Sequence, residues 1–153
     1  GSGRHAVGVV VCTNTGAGAD QSAARAFDSI LLANRLPNKT SVQKKYKEEK
    51  IIEANNYAIE IPLETAKLSL EVVKLSTKLI KHGNPNSVTD AEVAAEVGLA
   101  GVRGGCMNVM INLSAFDNIS RKYSKIKSEI DAIIDEANQL HQKAFKDTKR
   151  IIN

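Results

Sequence analysis

Two groups of amide, hydroxyl and carboxyl side chains in this chain have the types and spacing to do chemistry. The first is Asn84, Asn86, Ser87 and Asp90, within Gly-Asn-Pro-Asn-Ser-Val-Thr-Asp at 83–90; the second is Asn108 and Asn112, within Asn-Val-Met-Ile-Asn-Leu at 108–113. Gly, Pro and two Asn at this density make a turn whose side chains bond their own backbone. Asp90 supplies a carboxylate that can move a proton at a reacting centre, and the amides and hydroxyl can orient a polar ligand beside it. Between the groups lie Gly98, Gly101, Gly104 and Gly105. Each Gly costs about 1 kcal/mol relative to Ala in a helix interior, so these serve something other than helix stability.

At 100° per residue Asp90, Ala94, Gly101, Gly105, Asn108 and Asn112 fall in one narrow sector of a helix. Such a small, polar stripe suits close approach of another backbone, or a floor for a flat heterocycle whose edge the amides bond. Each residue also has a plainer reading. Asp90 with Ser87 three residues earlier resembles a capping box, and the macrodipole favours a carboxylate in a first turn. Asn84 and Asn86 serve as turn formers, and His82 reads as a C-terminal helix cation rather than a base. A continuous helix holds Asp90 and Asn112 about 33 Å apart, too far for one small ligand within one chain. A two-fold dimer can bring them together, so a homo-oligomer with its groove at or near the interface is expected.

The elements that must position these groups read as helices. Ala24, Phe27, Ile30, Leu31 and Asn34 share a face, and Pro37 ends that segment. Thr40 and Gln43 make a capping-box pair for a second helix, through about Ile59. Pro62 then sits at the first turn of another, carrying Leu63, Ala66, Leu70, Val73 and Ile80 with Leu68, Val72, Leu75 and Leu79 in a broad apolar stripe. Lys81 and His82 close it, with Gly83 as an αL cap. The last helix repeats Ile119, Tyr123, Ile126, Ile130, Ile133, Ala137, Leu140, Ala144 and Ile151, nearly a heptad seam. The expected fold is all-α, a multihelical array of long and short helices forming one domain over 1–153, with 1–25 atypical.

Composition narrows the function classes. The 153 residues suit one core. With 4% aromatics and no Trp, that core must be built from Ala, Val, Ile and Leu, which favours closely packed helices. The net charge of +4 comes from lysines dispersed among acidic residues. This pattern does not point to nucleic acid; a mild positive field suits an anionic small molecule. Cys12 and Cys106 read as reduced thiols of a cytoplasmic protein. His5, His82 and His141 form no metal-ligand pair along the chain, so no metal is expected. The apolar run 6–12 is far too short to span a membrane. Val9 to Gly18 has the outline of a strand and phosphate turn but lacks the P-loop and dinucleotide spacings.

Pro-Leu-Glu-Thr-Ala at 62–66, the turn at 83–91 and Asn108 to Leu113, together with Arg35-Leu36-Pro37, resemble the cyclodeaminase/cyclohydrolase family. The resemblance starts near Ala26-Phe27 and covers about four-fifths of the chain. It implies an enzyme of one-carbon tetrahydrofolates: a formiminotetrahydrofolate cyclodeaminase first, a methenyltetrahydrofolate cyclohydrolase next. Asp90 is then the acid/base, and Asn84, Asn86, Ser87, Asn108 and Asn112 bind or orient folate. No cofactor beyond the tetrahydrofolate substrate is implied. Ahead of Ala26 the family's small-residue helix and its Asn-Leu-Thr segment with following Lys-Lys-Tyr are missing, and Ala23 stands where the family commonly has Asp. That departure supports another class of function, a non-catalytic helical dimerisation module. It also suggests a shortened chain, or residues lost near Gly3 or between Thr13 and Ala24.

Overall fold

The computed structural model describes residue 25 and residues 28–114 and 121–153, and all regular structure among them is helical. The segment at 9–18, chain continuity near Gly3 and through 13–24, Ala24, Phe27 and Ile119 lie outside the described residues. Helix α1 is described over 28–35; α2 spans Ser41–His82, a 3₁₀ turn Pro85–Ser87, α3 Val88–Ser114 and α4 Arg121–Ile152.

Helix α1 stops before Pro37, as its sequence requires. Its buried side differs from the expected one: Ala33 is buried while Leu31 and Asn34 are exposed. The Lys47 ammonium of α2 donates to the Asn34 carbonyl at 2.7 Å, near the C-terminus of α1. Thr40 caps α2 as expected. Its hydroxyl accepts from the Gln43 N–H, and the Gln43 side chain accepts from the Thr40 N–H.

Helix α2 does not stop near Ile59 and restart at Pro62. It runs unbroken for 42 residues with Pro62 inside it. Proline lacks the N–H that would bond the carbonyl four residues back, here that of Ala58. The Asn112 side-chain amide of α3 donates to that carbonyl at 2.7 Å and replaces the missing bond. Asn112→Ala should therefore destabilise the protein by about 1–3 kcal/mol, the cost of a buried acceptor left unpaired. Most of that cost should vanish in a Pro62→Ala background, where the backbone N–H returns; urea denaturation of the double-mutant cycle measures the coupling.

Helices α2 and α3 run antiparallel through a glycine seam. A Cβ on Gly98 would come within 2.8 Å of Val73 Cγ2, and one on Gly105 within 2.7 Å of the Pro62 carbonyl oxygen. At Gly98 and Gly105 the stripe is thus a close helix contact, the first of its two expected uses. Ile59, Leu63, Ala66 and Leu70 of α2 meet Leu99, Val102, Cys106 and Val109 of α3 and Ile130, Ile133 and Ala137 of α4 in the main core. A second cluster, Ile80, Val88, Ala91, Ala95 and Ala144, closes the end near the turn. The α4 seam is seated as its period requires, except that Ile151 is exposed. Lys67 pairs with Glu129 at 2.6 Å and Lys74 with Glu136 at 3.2 Å, two part-exposed ion pairs one heptad apart that run along the α2–α4 contact. Helix α2's other stripe, Leu68, Val72, Leu75 and Leu79, faces outward. No described helix is long and apolar enough to cross a membrane.

Cys106 is a buried free thiol whose Sγ points at the Ile130 carbonyl, 3.9 Å away. Burial, with a smaller push from Asp131, raises its pKa from 9.0 to about 11. The neutral thiol is the form the fold favours, so the stability it contributes is fully present below pH 9 and is lost as pH rises from about 9 to about 11. In a Cys12→Ser background, alkylation by iodoacetamide at pH 7.5 should be slow in the native protein and rapid in urea. Equal rates would show that the thiol is open to solvent.

Candidate functional site

The segment 83–87 turns sharply, and bonds and space around its backbone account for the turn. Gly83 donates its N–H to the Leu79 carbonyl at 2.7 Å and ends α2 in an extended conformation, φ −84° and ψ −169°, not in the αL cap expected. Glycine is needed for space rather than for positive φ, since a Cβ would run into the Leu79 carbonyl oxygen. Asn84 Oδ1 accepts the Asn86 N–H at 3.0 Å, and the Asn84 carbonyl accepts the Ser87 N–H at 2.9 Å. Ser87 lies in the 3₁₀ turn that feeds α3 directly, with Val88 already in the right-handed helical region, so the expected Ser87–Asp90 capping box is replaced by this turn.

The turn brings three of the six expected site residues together. Asn84, Ser87 and Asp90 line a concavity of about 250 Å³ with Leu79, Gly83 and Ala91. Asp90 is exposed in the first turn of α3 and held there by helix geometry. Asn86 is also exposed but does not line the concavity. Asn108 and Asn112 are half-buried at the far end of the continuous α3, and Asn112 holds the proline-interrupted stretch of α2. Within one chain the two groups do not form one site. The concavity falls below the roughly 300 Å³ at which small-molecule pockets begin, so by itself it holds part of a ligand.

A larger groove of about 640 Å³ lies between α1 and α2, with Ser29, Tyr46, Lys50, Glu53, Asn56 and Tyr57 among its lining. Sequence reading missed it. The signal was two of the chain's three tyrosines eleven residues apart, three turns along one face of α2, with Lys50 and Glu53 between them at helical spacing. Lys50 bonds Glu53 at 2.6 Å, which raises its pKa, and lies 6.0 Å from the Tyr46 ring centre. Tyr57 precedes Ala58, the residue Asn112 bonds, so groove and Asn112 share one end of the α2–α3 hairpin.

Comparison with known proteins shows the family of the chain. A family model described as formiminotransferase-cyclodeaminase matches residues 17–132, well over half of the chain. The chain belongs to the formiminotransferase-cyclodeaminase family. It is 31% identical over 128 residues to a methenyltetrahydrofolate cyclohydrolase of Methylorubrum extorquens, covering 84% of this chain and 61% of that protein. It is 30% identical to the formimidoyltransferase-cyclodeaminases of Rattus norvegicus and Sus scrofa, with 74% of this chain matching 21% of each. The chain therefore spans less than two-thirds of the length of each of these relatives, 61% of the cyclohydrolase and 21% of the formimidoyltransferase-cyclodeaminases. Both kinds of relative are named for one-carbon folate enzymes, and the match includes the 83–91 turn and all of α3.

Proposed function

We propose that this chain acts on the single carbon bridging N5 and N10 of a tetrahydrofolate, as a methenyltetrahydrofolate cyclohydrolase, with Asp90 as the acid/base. The observation that carries the reading is the clustering of Asp90 with Asn84 and Ser87 in one concavity, in a chain of this family. Water adds to the electrophilic methenyl carbon, and the Asp90 carboxylate takes its proton. The tetrahedral centre then collapses: its hydroxyl proton leaves to solvent as the C=O forms, the carbon–N5 bond breaks, N5 takes the proton that Asp90 holds, and a formyl group remains on N10. Asn84 and Ser87 orient the reacting edge, and Asn86 supports the turn that holds them. The cyclohydrolase relative, matched over 84% of this chain, favours this reaction.

The second reading is formiminotetrahydrofolate cyclodeaminase, favoured by the family model's description and the mammalian relatives. There N10 attacks a 5-formimino carbon and ammonia leaves, through the same kind of tetrahedral centre. No cofactor beyond the folate enters either reaction, and both fit a cytoplasmic protein.

The size of the concavity, below that of a full pocket, supports a homodimer. The exposed Leu68, Val72, Leu75 and Leu79 stripe runs beside α3, with Val72 against Gly98 and Leu79 sharing the concavity with Asp90. A two-fold axis through the middle of this face sets the Asp90 end of one copy against the Asn108 and Asn112 end of another. Leu75→Glu should then halve the mass measured by light scattering; an unchanged mass would place any interface elsewhere. The enzymatic reading is tested by supplying 5,10-methenyltetrahydrofolate and 5-formiminotetrahydrofolate to one preparation. Loss of methenyl absorbance supports the cyclohydrolase, ammonia release supports the cyclodeaminase, and turnover of neither supports a non-catalytic dimerisation module.

A further inference from the structure

A second cluster of chemistry-bearing side chains lies in the α3–α4 seam, beyond the folate reading. Glu92 and Glu96 stand one turn apart on α3, and His141 faces them from α4. One ligand atom from each lies within 4.8 Å of the others. Sequence spacing could not reveal this set, because only the packing of α4 on α3 brings His141 to the glutamates.

Two observations show that the cluster is not satisfied by its own members. Glu92 Oε1 and His141 Nε2 are both shut off from solvent and have no hydrogen-bond partner. His141 Nε2 lies 2.8 Å from Glu96 Oε1, close enough for a hydrogen bond yet misaligned for one. A nitrogen and a carboxylate oxygen held this close and out of line have the disposition of neighbouring ligands of a shared cation as well as that of an ion pair. The Thr148 hydroxyl donates to the other Glu92 oxygen at 3.2 Å and orients that carboxylate, as the outer partner of a metal ligand does. Buried acceptors without donors are costly, and a cation satisfies them together.

We propose that Glu92, Glu96 and His141 bind a divalent transition-metal ion, Zn²⁺ foremost, in the seam between α3 and α4. Two carboxylate oxygens and an imidazole nitrogen form a borderline N,O donor set suited to zinc. In a tetrahedral shell with bonds of about 2.0–2.2 Å, ligand atoms sit about 3.3 Å apart. To reach that spacing Glu96 Oε1 must draw slightly away from His141 Nε2, now 2.8 Å off, while the wider separations, up to 4.8 Å, close; Glu96 can make this adjustment because its side chain is half exposed. Three protein ligands leave the fourth position to water. The ion ties α3 to α4 on the side of α3 away from Asp90, so its first effect is on stability.

Metal-free protein prepared with a chelator is titrated with Co²⁺, whose visible d–d absorption reports coordination, and then with Zn²⁺ in competition. One equivalent of Co²⁺ should bind with the intense bands of a four-coordinate site, and Zn²⁺ should displace it. Glu96→Gln, which changes an exposed oxygen, and His141→Ala should each weaken both metals about tenfold or more, while His82→Ala binds as the parent does. Zn²⁺ should raise the melting temperature of the parent but not that of Glu96→Gln. Absence of d–d bands, or equal affinity in Glu96→Gln and the parent, would overturn the proposal and leave a Glu96–His141 ion pair. Circular dichroism confirms that the variants are folded, and Glu96→Gln carries the test if His141→Ala is not.

Discussion

Asp90→Asn should lower turnover of 5,10-methenyltetrahydrofolate by about 10²-fold or more, the range of one acid/base group, with the fold and folate affinity nearly intact. The substitution is close to isosteric, and Asp90 is exposed and makes no part of either buried cluster. The turn beneath it is held by Asn84 and Gly83, not by the Asp90 carboxylate. What is lost is the group that accepts and returns the proton. A fall in kcat with KM little changed identifies an interaction used only in reaching the transition state. Asn84→Ala should behave differently, because its side-chain oxygen caps the Asn86 N–H; losing that cap loosens the turn and raises KM as well as lowering kcat. If Asp90→Asn turns over at the parent rate, Asp90 is a helix-terminal charge and the proton is moved elsewhere.

Local chemistry was legible in the sequence, and chemistry between distant segments was not. The Thr40–Gln43 cap, the stop of α1 before Pro37, the buried stripe of α2 and the seam of α4 each depend on residues within a few turns, and periodicity reads them. Pro62 misled because its local meaning is a helix start; the bond that lets α2 continue comes from Asn112, 54 residues later. Gly83 misled for a related reason. Its sequence position matches an αL cap, but the Leu79 carbonyl demands an absent Cβ rather than a positive φ. At the site, Asn84, Ser87 and Asp90 could be grouped because one turn carries them. The tyrosine-lined groove leaves only the Tyr46–Tyr57 spacing of α2 as a trace, because α1 forms its other wall, and the Glu92, Glu96 and His141 cluster needs two helices that no single stretch of sequence brings together.

The glycine seam yields the sharpest stability test, because its two crossing points differ in what a methyl group would strike. At Gly105 an added Cβ would lie 2.7 Å from the Pro62 carbonyl oxygen and 2.9 Å from both the N and Cβ of Ala66. Two of those atoms are backbone in the stretch of α2 held by the Asn112 bond, so relief requires moving one helix off the other. At Gly98 the nearest atom is the Val73 Cγ2 methyl at 2.8 Å, with the Ser69 carbonyl oxygen at 3.2 Å, and a side-chain end can yield where a backbone cannot. Overpacking typically costs about 1–3 kcal/mol, against which Ala gains about 1 kcal/mol over Gly in helix propensity. Gly105→Ala should fall at the upper end, a net loss of about 2 kcal/mol, or roughly 4–8 °C in Tm for a chain of this size. Gly98→Ala should lie within about 1 kcal/mol of the parent, its two effects nearly offsetting. A Gly98→Ala loss equal to that of Gly105→Ala, or a Gly105→Ala variant as stable as the parent, would mean that α2 and α3 are not locked at Pro62 and that their spacing is free to adjust.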